Sequence, residues 1–317
     1  MEGLKMNSEI KYLLPYKNFY KANLNSRSSL SDGRLSPEEL KKIYKKKGYS
    51  VLAITDDAPV SQKELSDEDF LVLAGFSFGA VSEEAIPHKN ARFTAISLNE
   101  NPESIPSYDG EFDLDKISSY ISECKEKGYY TTFSHPAKSN LVMPEYLKFS
   151  NADALEVINY SSLMEGYDEY SAVCYDDFVR RNHRLACSAS DGNKNERELC
   201  DKRSDSFGAF TVINSDSLDY ESISNSIKEG SYYATEGPEI KAIWIKGDTL
   251  NIRTSPVDKI VLYSGKRGSR FFFANGGVPL TAASFKINAN EVCVRFIITD
   301  EDGNRAYTKS YYTDEIM

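Results

Sequence analysis

Ionisable and hydrogen-bonding side chains collect just beyond the short apolar runs of this 317-residue sequence. Asp56 and Asp57 close the run 51–55, Ser77 follows 70–73, His135 follows 129–133, Glu156 and Asn159 fall at the end of 154–158, and Asp191 follows 185–189. Polar groups gathered at neighbouring strand ends mark where the site of a parallel-strand barrel is built, and carboxylates and imidazoles are the donor types that can ligate a metal ion. Imidazoles are scarce, however: His88, His135 and His183 are the 3 in the chain. Arg27, Lys89, Lys138 and Lys194 offer the opposite chemistry, cations that bind an anion directly. For Asp191 a cap or turn role is as natural as ligation. Glu156 and Asn159, at a strand end, read either as supporting partners of the site or as ordinary rim residues.

The elements that must position these groups are legible in outline. Ser36-Pro37-Glu38-Glu39 carries a capping box with proline in the first turn, apolar residues follow at helical spacing, and Gly48 supplies the stop. The run 51–55 comes next, continuous and apolar, as in a strand buried on both faces. The unit repeats as a helix over 114–127 and a strand over 129–133. Further strands are expected at 70–73, 93–97, 154–158, 185–189 and 210–213, with helices near 167–181 and 220–229. Alternating strands and helices predict a parallel α/β architecture whose site lies at the strand ends. Past Gly237-Pro238 the pattern changes to short β runs with turn signals, which predicts a small all-β sandwich.

Composition narrows the class. Hydrophobic residues at 40% and charged residues at 27% can build a core, so the chain is expected to fold. A net charge of -10 gives no overall attraction to nucleic acid or anionic membranes, so neither is an expected partner. Five scattered cysteines suggest reduced thiols rather than a disulfide framework. Charges interrupt the first twenty residues, leaving no export signal or membrane span, and a cytoplasmic location is the expectation.

Two stretches carry a family resemblance. Asn23-Leu24-Asn25-Ser26-Arg27-Ser28-Ser29-Leu30-Ser31-Asp32-Gly33 resembles the opening motif of the PHP family, the polymerase and histidinol phosphatase domain. Leu52-Ala53-Ile54-Thr55-Asp56-Asp57 is similar to its second motif, and the stretch 230–238 resembles its closing segment. The resemblance implies a distorted (β/α)7 barrel over 20–238, after an N-terminal lead-in of 1–19, with an all-β sandwich-like appendage over 239–317. It also implies descent from phosphoesterases that use two or three metal ions.

Against that pattern the departures dominate. The resemblance places histidines where this chain has Asn25, Arg27, Asp57 and Asn193, and a metal-bridging glutamate where it has Ser77. What survives is Asp32, His88, His135 and Asp191, with Asp57 as a substitute oxygen donor. Arg27 brings a permanent positive charge to a metal position, and its guanidinium can neutralise Asp32, Asp57 or Asp191. The expectation is a pseudoenzyme without a cofactor. It would bind an anion such as a phosphorylated small molecule through Arg27, Lys89, Asn25 and Asn193, or act through a protein partner. The alternative is a metal-dependent phosphoesterase or other hydrolase with one zinc, manganese or iron ion on His88 and His135, with a third ligand from Asp57, Asp191 or water.

Overall fold

The computed structural model describes residues 9–15, 17–59, 63–84, 87–168, 170–265 and 268–317. The chain divides into two compact units, Asn18–Glu236 and a second made of Met1–Lys17 with Gly237–Met317. The first eight residues, part of the expected lead-in, lie outside the described ones.

The chain opens with β1 (Ile10–Leu14), which belongs to the second unit. The larger unit then runs β2 (Asn18–Ser26), α1 (Pro37–Lys46), β3 (Val51–Asp56), β4 (Leu71–Ser82), β5 (Lys89–Ser97), α2 (Leu114–Glu126) and β6 (Tyr129–Ser134). It continues through α3 (Met143–Tyr146), β7 (Ala154–Asn159), α4 (Tyr160–Met164), α5 (Ala172–Val179), β8 (Ala186–Ser190), β9 (Phe210–Ser215), α6 (Tyr220–Lys228) and β10 (Tyr232–Thr235). Ser36 and Glu39 cap α1 reciprocally: the Glu39 amide donates to Ser36 Oγ at 3.2 Å and the Ser36 amide to Glu39 Oε2 at 2.9 Å. The same helix buries Leu40 and Tyr44 against the sheet side.

These strands form one mixed sheet in the order β10-β9-β2-β3-β4-β5-β6-β7-β8. β2, β3 and β4 run parallel, as do β6, β7 and β8. β5 is antiparallel to both its neighbours, and β9 to both of its own. The expectation of parallel strands throughout is therefore corrected to an α/β fold around a large mixed sheet. The reason is local. A parallel neighbour needs a crossover of roughly a dozen residues or more, and residues 83–88 between β4 and β5 are too few, so the chain turns back as a hairpin. β3, β6 and β7 are buried at every residue, which is why they read as unbroken apolar runs. Ala22, Val51, Leu73, Ile96, Ala154 and Ile213 meet in one core cluster. The helix expected over 167–181 is the shorter α5.

The second unit adds β11 (Ile240–Lys246), β12 (Thr249–Val257), β13 (Lys259–Ser264), β14 (Arg270–Phe273), β15 (Leu280–Lys286), β16 (Cys293–Thr299), β17 (Arg305–Thr308), β18 (Tyr311–Tyr312) and the short α7 (Thr313–Ile316). One sheet is β1-β11-β12-β15, and a second set is β14-β13-β16-β17 with β18 on β16. Within this unit β1 lies antiparallel to β11 and buries Leu14. Strict alternation along β13 places Ile260, Leu262 and Ser264 inward.

Candidate functional site

The carboxyl ends of the parallel strands and the amino-terminal half of antiparallel β5 border a cleft of about 720 Å³ in the larger unit. β2 delivers Asn25 and then Arg27, and β3 is followed by Asp57. Ser77 comes from β4, Asn90 and Arg92 from β5, Ser134 and His135 from the end of β6, and Gly192 and Lys194 from the segment after β8.

Beneath its lining lies a floor layer of two buried carboxylates, Glu156 and Asp191, held by neutral donors and not themselves open to the cleft. Glu156 is 2% exposed and takes four hydrogen bonds: Asn25 Nδ2 at 3.0 Å and Ser190 Oγ on Oε1, Asn159 Nδ2 at 2.8 Å and the His135 amide at 3.0 Å on Oε2. Burial raises its pKa, and these four donors work against that rise. Asp191 is 0% exposed. It accepts from Tyr44 Oη at 2.6 Å and from the amides of Phe207, Gly208 and Ala209 at 2.9, 3.0 and 3.3 Å. Burial pushes its pKa up to about 6 even so. Gly208 is required for this arrangement, because a Cβ there would lie 2.1 Å from the Tyr160 ring. Asn23 knits the floor together. Its Oδ1 accepts from the Asp191 amide at 3.0 Å, and its Nδ2 donates to Tyr44 Oη at 2.9 Å and Asn193 Oδ1 at 3.0 Å.

The rim is ionic. Arg27 donates through Nε to Asp32 and through Nη2 to Asp57, and Lys194 Nζ reaches Asp32 at 2.8 Å. Burial would lower the guanidinium pKa, but Asp57 and Asp32 more than offset it and leave it raised. Ser77 Oγ donates to the Thr55 carbonyl at 2.9 Å, a structural bond. Asp56 is occupied by the Ser28 amide and the Ser28 and Ser31 hydroxyls.

The structure separates the two histidines expected to share a metal. His135 lines the cleft with a positive φ of 35° and a buried Nδ1 that has no hydrogen-bond partner among the described residues. Burial, followed by the positive charges of Lys138, Arg92 and Lys194, lowers its pKa to about 3, so the ring is neutral. His88 is exposed in the segment before β5 and does not line the cleft; its carbonyl accepts from Asn140 Nδ2 at 2.9 Å. Lys89 is likewise turned away, paired with Glu145. Asn193 sits under the site as a buried bridging amide rather than in its lining. Lys138 is paired with Glu165 at 2.5 Å.

One residue escaped the sequence reading. Arg92, half-buried in β5, points into the cleft with no ion pair or hydrogen bond to its guanidinium among the described residues. Burial and the charge of Arg27 lower its pKa, and Asp32 and Asp57 act against that. The alternation Asn90, Arg92, Thr94 against Ala91, Phe93, Ala95 is the signal that finds it.

A divalent metal does not fit these donors. Among the described residues no group of three or more His, Cys, Asp or Glu side chains could hold one. Glu156 and Asp191 have their oxygens filled by N–H and O–H donors, Asp32 and Asp57 face Arg27, and His135 stands among cations.

No family model matches the chain, and no curated protein matches it. Among solved structures it is similar, at 14% identity and a TM-score of 0.47, to a two-domain protein from Bacteroides vulgatus containing a predicted PHP-like metal-dependent phosphoesterase, over 98% of this chain and 100% of that one. It is also similar to an amidohydrolase from Chromobacterium violaceum with bound sulfate and no metal, at 14% identity and a TM-score of 0.39, over 53% of this chain and 86% of that one.

Proposed function

We propose that the cleft binds a phosphate-like oxyanion of a small molecule without a metal, and that the chain is a pseudoenzyme of PHP type. The observation that carries this reading is Arg92. A half-buried guanidinium with no counter-ion in direct contact among the described residues is incompletely satisfied until something anionic meets it, and a tetrahedral oxyanion matches its planar fork of donors. Lys138 and Lys194 also line the cleft, each in an ion pair, and the neutral His135 ring can supply one further hydrogen bond. Arg27 stands in for a cation by holding Asp32 and Asp57, so these carboxylates do not repel the ligand.

Several features support a barrel-like closure of the sheet. Ser26 at the end of β2 bridges in parallel to Asn193 beyond β8, the Arg27 amide donates to the Asn193 carbonyl at 3.0 Å, and Thr211 Oγ1 donates to the Ala189 carbonyl at 2.8 Å. The second unit, with its two sets of strands, suits a sandwich-like appendage. We place the protein in the cytoplasm because all five cysteines are free thiols. No helix among the described residues is long and apolar enough to cross a membrane.

Titration calorimetry with inorganic phosphate tests the reading. Wild type is expected to bind, and Arg92→Met to lose about 10- to 100-fold in affinity, the worth of one charged hydrogen-bond pair. Stoichiometric zinc, manganese or iron in protein purified without chelator, with phosphoester turnover abolished by His135→Ala, would overturn it in favour of a single-metal hydrolase.

A further inference from the structure

Arg92, Asp57 and Ser77 line two cavities at once. Besides the polar cleft they border a smaller one of about 250 Å³, whose other walls are Phe76, Phe78, Ile105, Tyr108, Tyr120 and the Ala58-Pro59 pair. The aromatic wall is continuous: Phe78 and Tyr120 have ring centroids 4.8 Å apart, Tyr108 and Tyr120 5.3 Å, and Phe78 and Tyr108 6.4 Å. Both Tyr hydroxyls are tied to backbone carbonyls, Tyr108 to Glu111 and Tyr120 to Pro106, each at 2.6 Å, so the rings are held in place.

The sheet keeps the junction open. Across the strands Arg92 faces Gly79 on β4 and Ser134 on β6, two of the smallest residues available. Gly79 cannot be replaced without moving the hairpin: its φ is 137°, and a Cβ there would lie 1.9 Å from the Ala91 carbonyl oxygen. Arg92 therefore has small cross-strand neighbours and borders both the polar cleft and the aromatic-walled recess.

We infer that the ligand of this cleft is an aryl oxyanion, a flat aromatic group joined through a short link to a phosphate, phosphonate or sulfate. The inference rests on the oxyanion reading given above and adds the second half of the ligand. A cavity of about 150 Å³ is enough for a benzene ring, so the smaller recess, at about 250 Å³, has space for one ring. Aromatic rings stack offset or edge-on against such walls. The oxyanion then lies at Arg92, with the His135 ring and Lys194 toward the open cleft.

The test compares phenylphosphonate with methylphosphonate, two compounds of like charge that phosphatase chemistry does not cleave. Wild type is expected to bind the phenyl compound at least about 10-fold more tightly, from partial burial of one ring. Tyr108→Ala should bring the two affinities to within about 3-fold while leaving methylphosphonate binding in place. Because both ligands are titrated into the same protein, the ratio is insensitive to any loss of folded material in the variant. Arg92→Met should weaken both compounds together. Equal affinity of wild type for the two compounds overturns the aryl inference and leaves the oxyanion site standing. Failure of both compounds and of inorganic phosphate to bind overturns the oxyanion site, and this inference with it.

Discussion

Asp191 and Glu156 in the floor layer beneath the cleft and Asp32 and Asp57 on its rim are the same functional group maintained by opposite means. The floor pair is buried and satisfied by amides, hydroxyls and carboxamides, with no cation in contact. The rim pair is partly open to water, with Asp57 76% and Asp32 50% exposed, and is held by Arg27. A buried carboxylate depends on every one of its donors, because no water can replace a lost one. An exposed ion pair gains little, since water screens it and already solvates both partners. The floor is thus a structural layer built on acidic residues, and the rim is where charge remains adjustable by a ligand.

That contrast can be broken most sharply at Asp191. Asp191→Asn keeps the shape but turns an NH2 group toward one of the backbone donors, and we expect a loss of about 3 kcal/mol or more in urea unfolding. If the variant unfolds with the wild-type midpoint, the floor is not the structural layer described. Glu156→Gln replaces one of two acceptor oxygens in the same way but faces side-chain donors, which can rotate. A smaller loss of about 1–3 kcal/mol is expected by the same measurement. On the rim, Asp57→Asn should cost no more than about 1 kcal/mol. A larger loss there would erase the distinction between the layers.

Acid titration sharpens the comparison from a third direction. His135 is held at about 3, so from the unfolded imidazole value of about 6.5 downward the unfolded chain binds a proton that the native state refuses. Its contribution is intact above that window and is lost as pH falls through it. Asp191 has the opposite sign. Held at about 6, it is protonated in the native state before the unfolded carboxyl is, so acidification from about 6 toward about 4 favours the fold at that residue. His135→Asn, which also suits a positive φ, should therefore lose less stability than wild type between pH 7 and pH 5. Equal losses in the two proteins would contradict a buried neutral imidazole. The smallest effect is expected from metal: saturating manganese should leave the melting temperature within about 1 °C, whereas a donor set able to bind it would raise that temperature with concentration.

Local signals marked much of the fold. The Ser36 capping box, the apolar run at 51–55 and the helix starting at Leu114 all involve residues within a few positions of one another, and each appears as an element. β2 carries a mixture of polar and apolar residues that gives no clean period, because its buried Asn23 and Asn25 are paid for by partners far along the chain. The antiparallel hairpin of β4 and β5 is obscured in the sequence because the apolar run at 70–73 gives way to alternation at Phe76, Ser77, Phe78 and Gly79, a change of period within a single strand.

Within the site, the sequence by itself determined which chemical groups are present. Imidazole is absent at Asn25, Arg27, Asp57 and Asn193, a permanent cation stands at Arg27, and acidic residues recur at strand ends. Only the tertiary structure decided which of these groups meet. It gave Arg27 to Asp32 and Asp57, enclosed Asp191 in the amides of Phe207, Gly208 and Ala209, and carried His88 away from His135. It also paired Lys89 with Glu145 while leaving Arg92, with Gly79 and Ser134 as cross-strand neighbours, on the border of the cleft. The physical reason is that the fate of a charged side chain is set by its partner, and these partners come from residues distant in the chain, brought together by sheet register rather than by any local pattern.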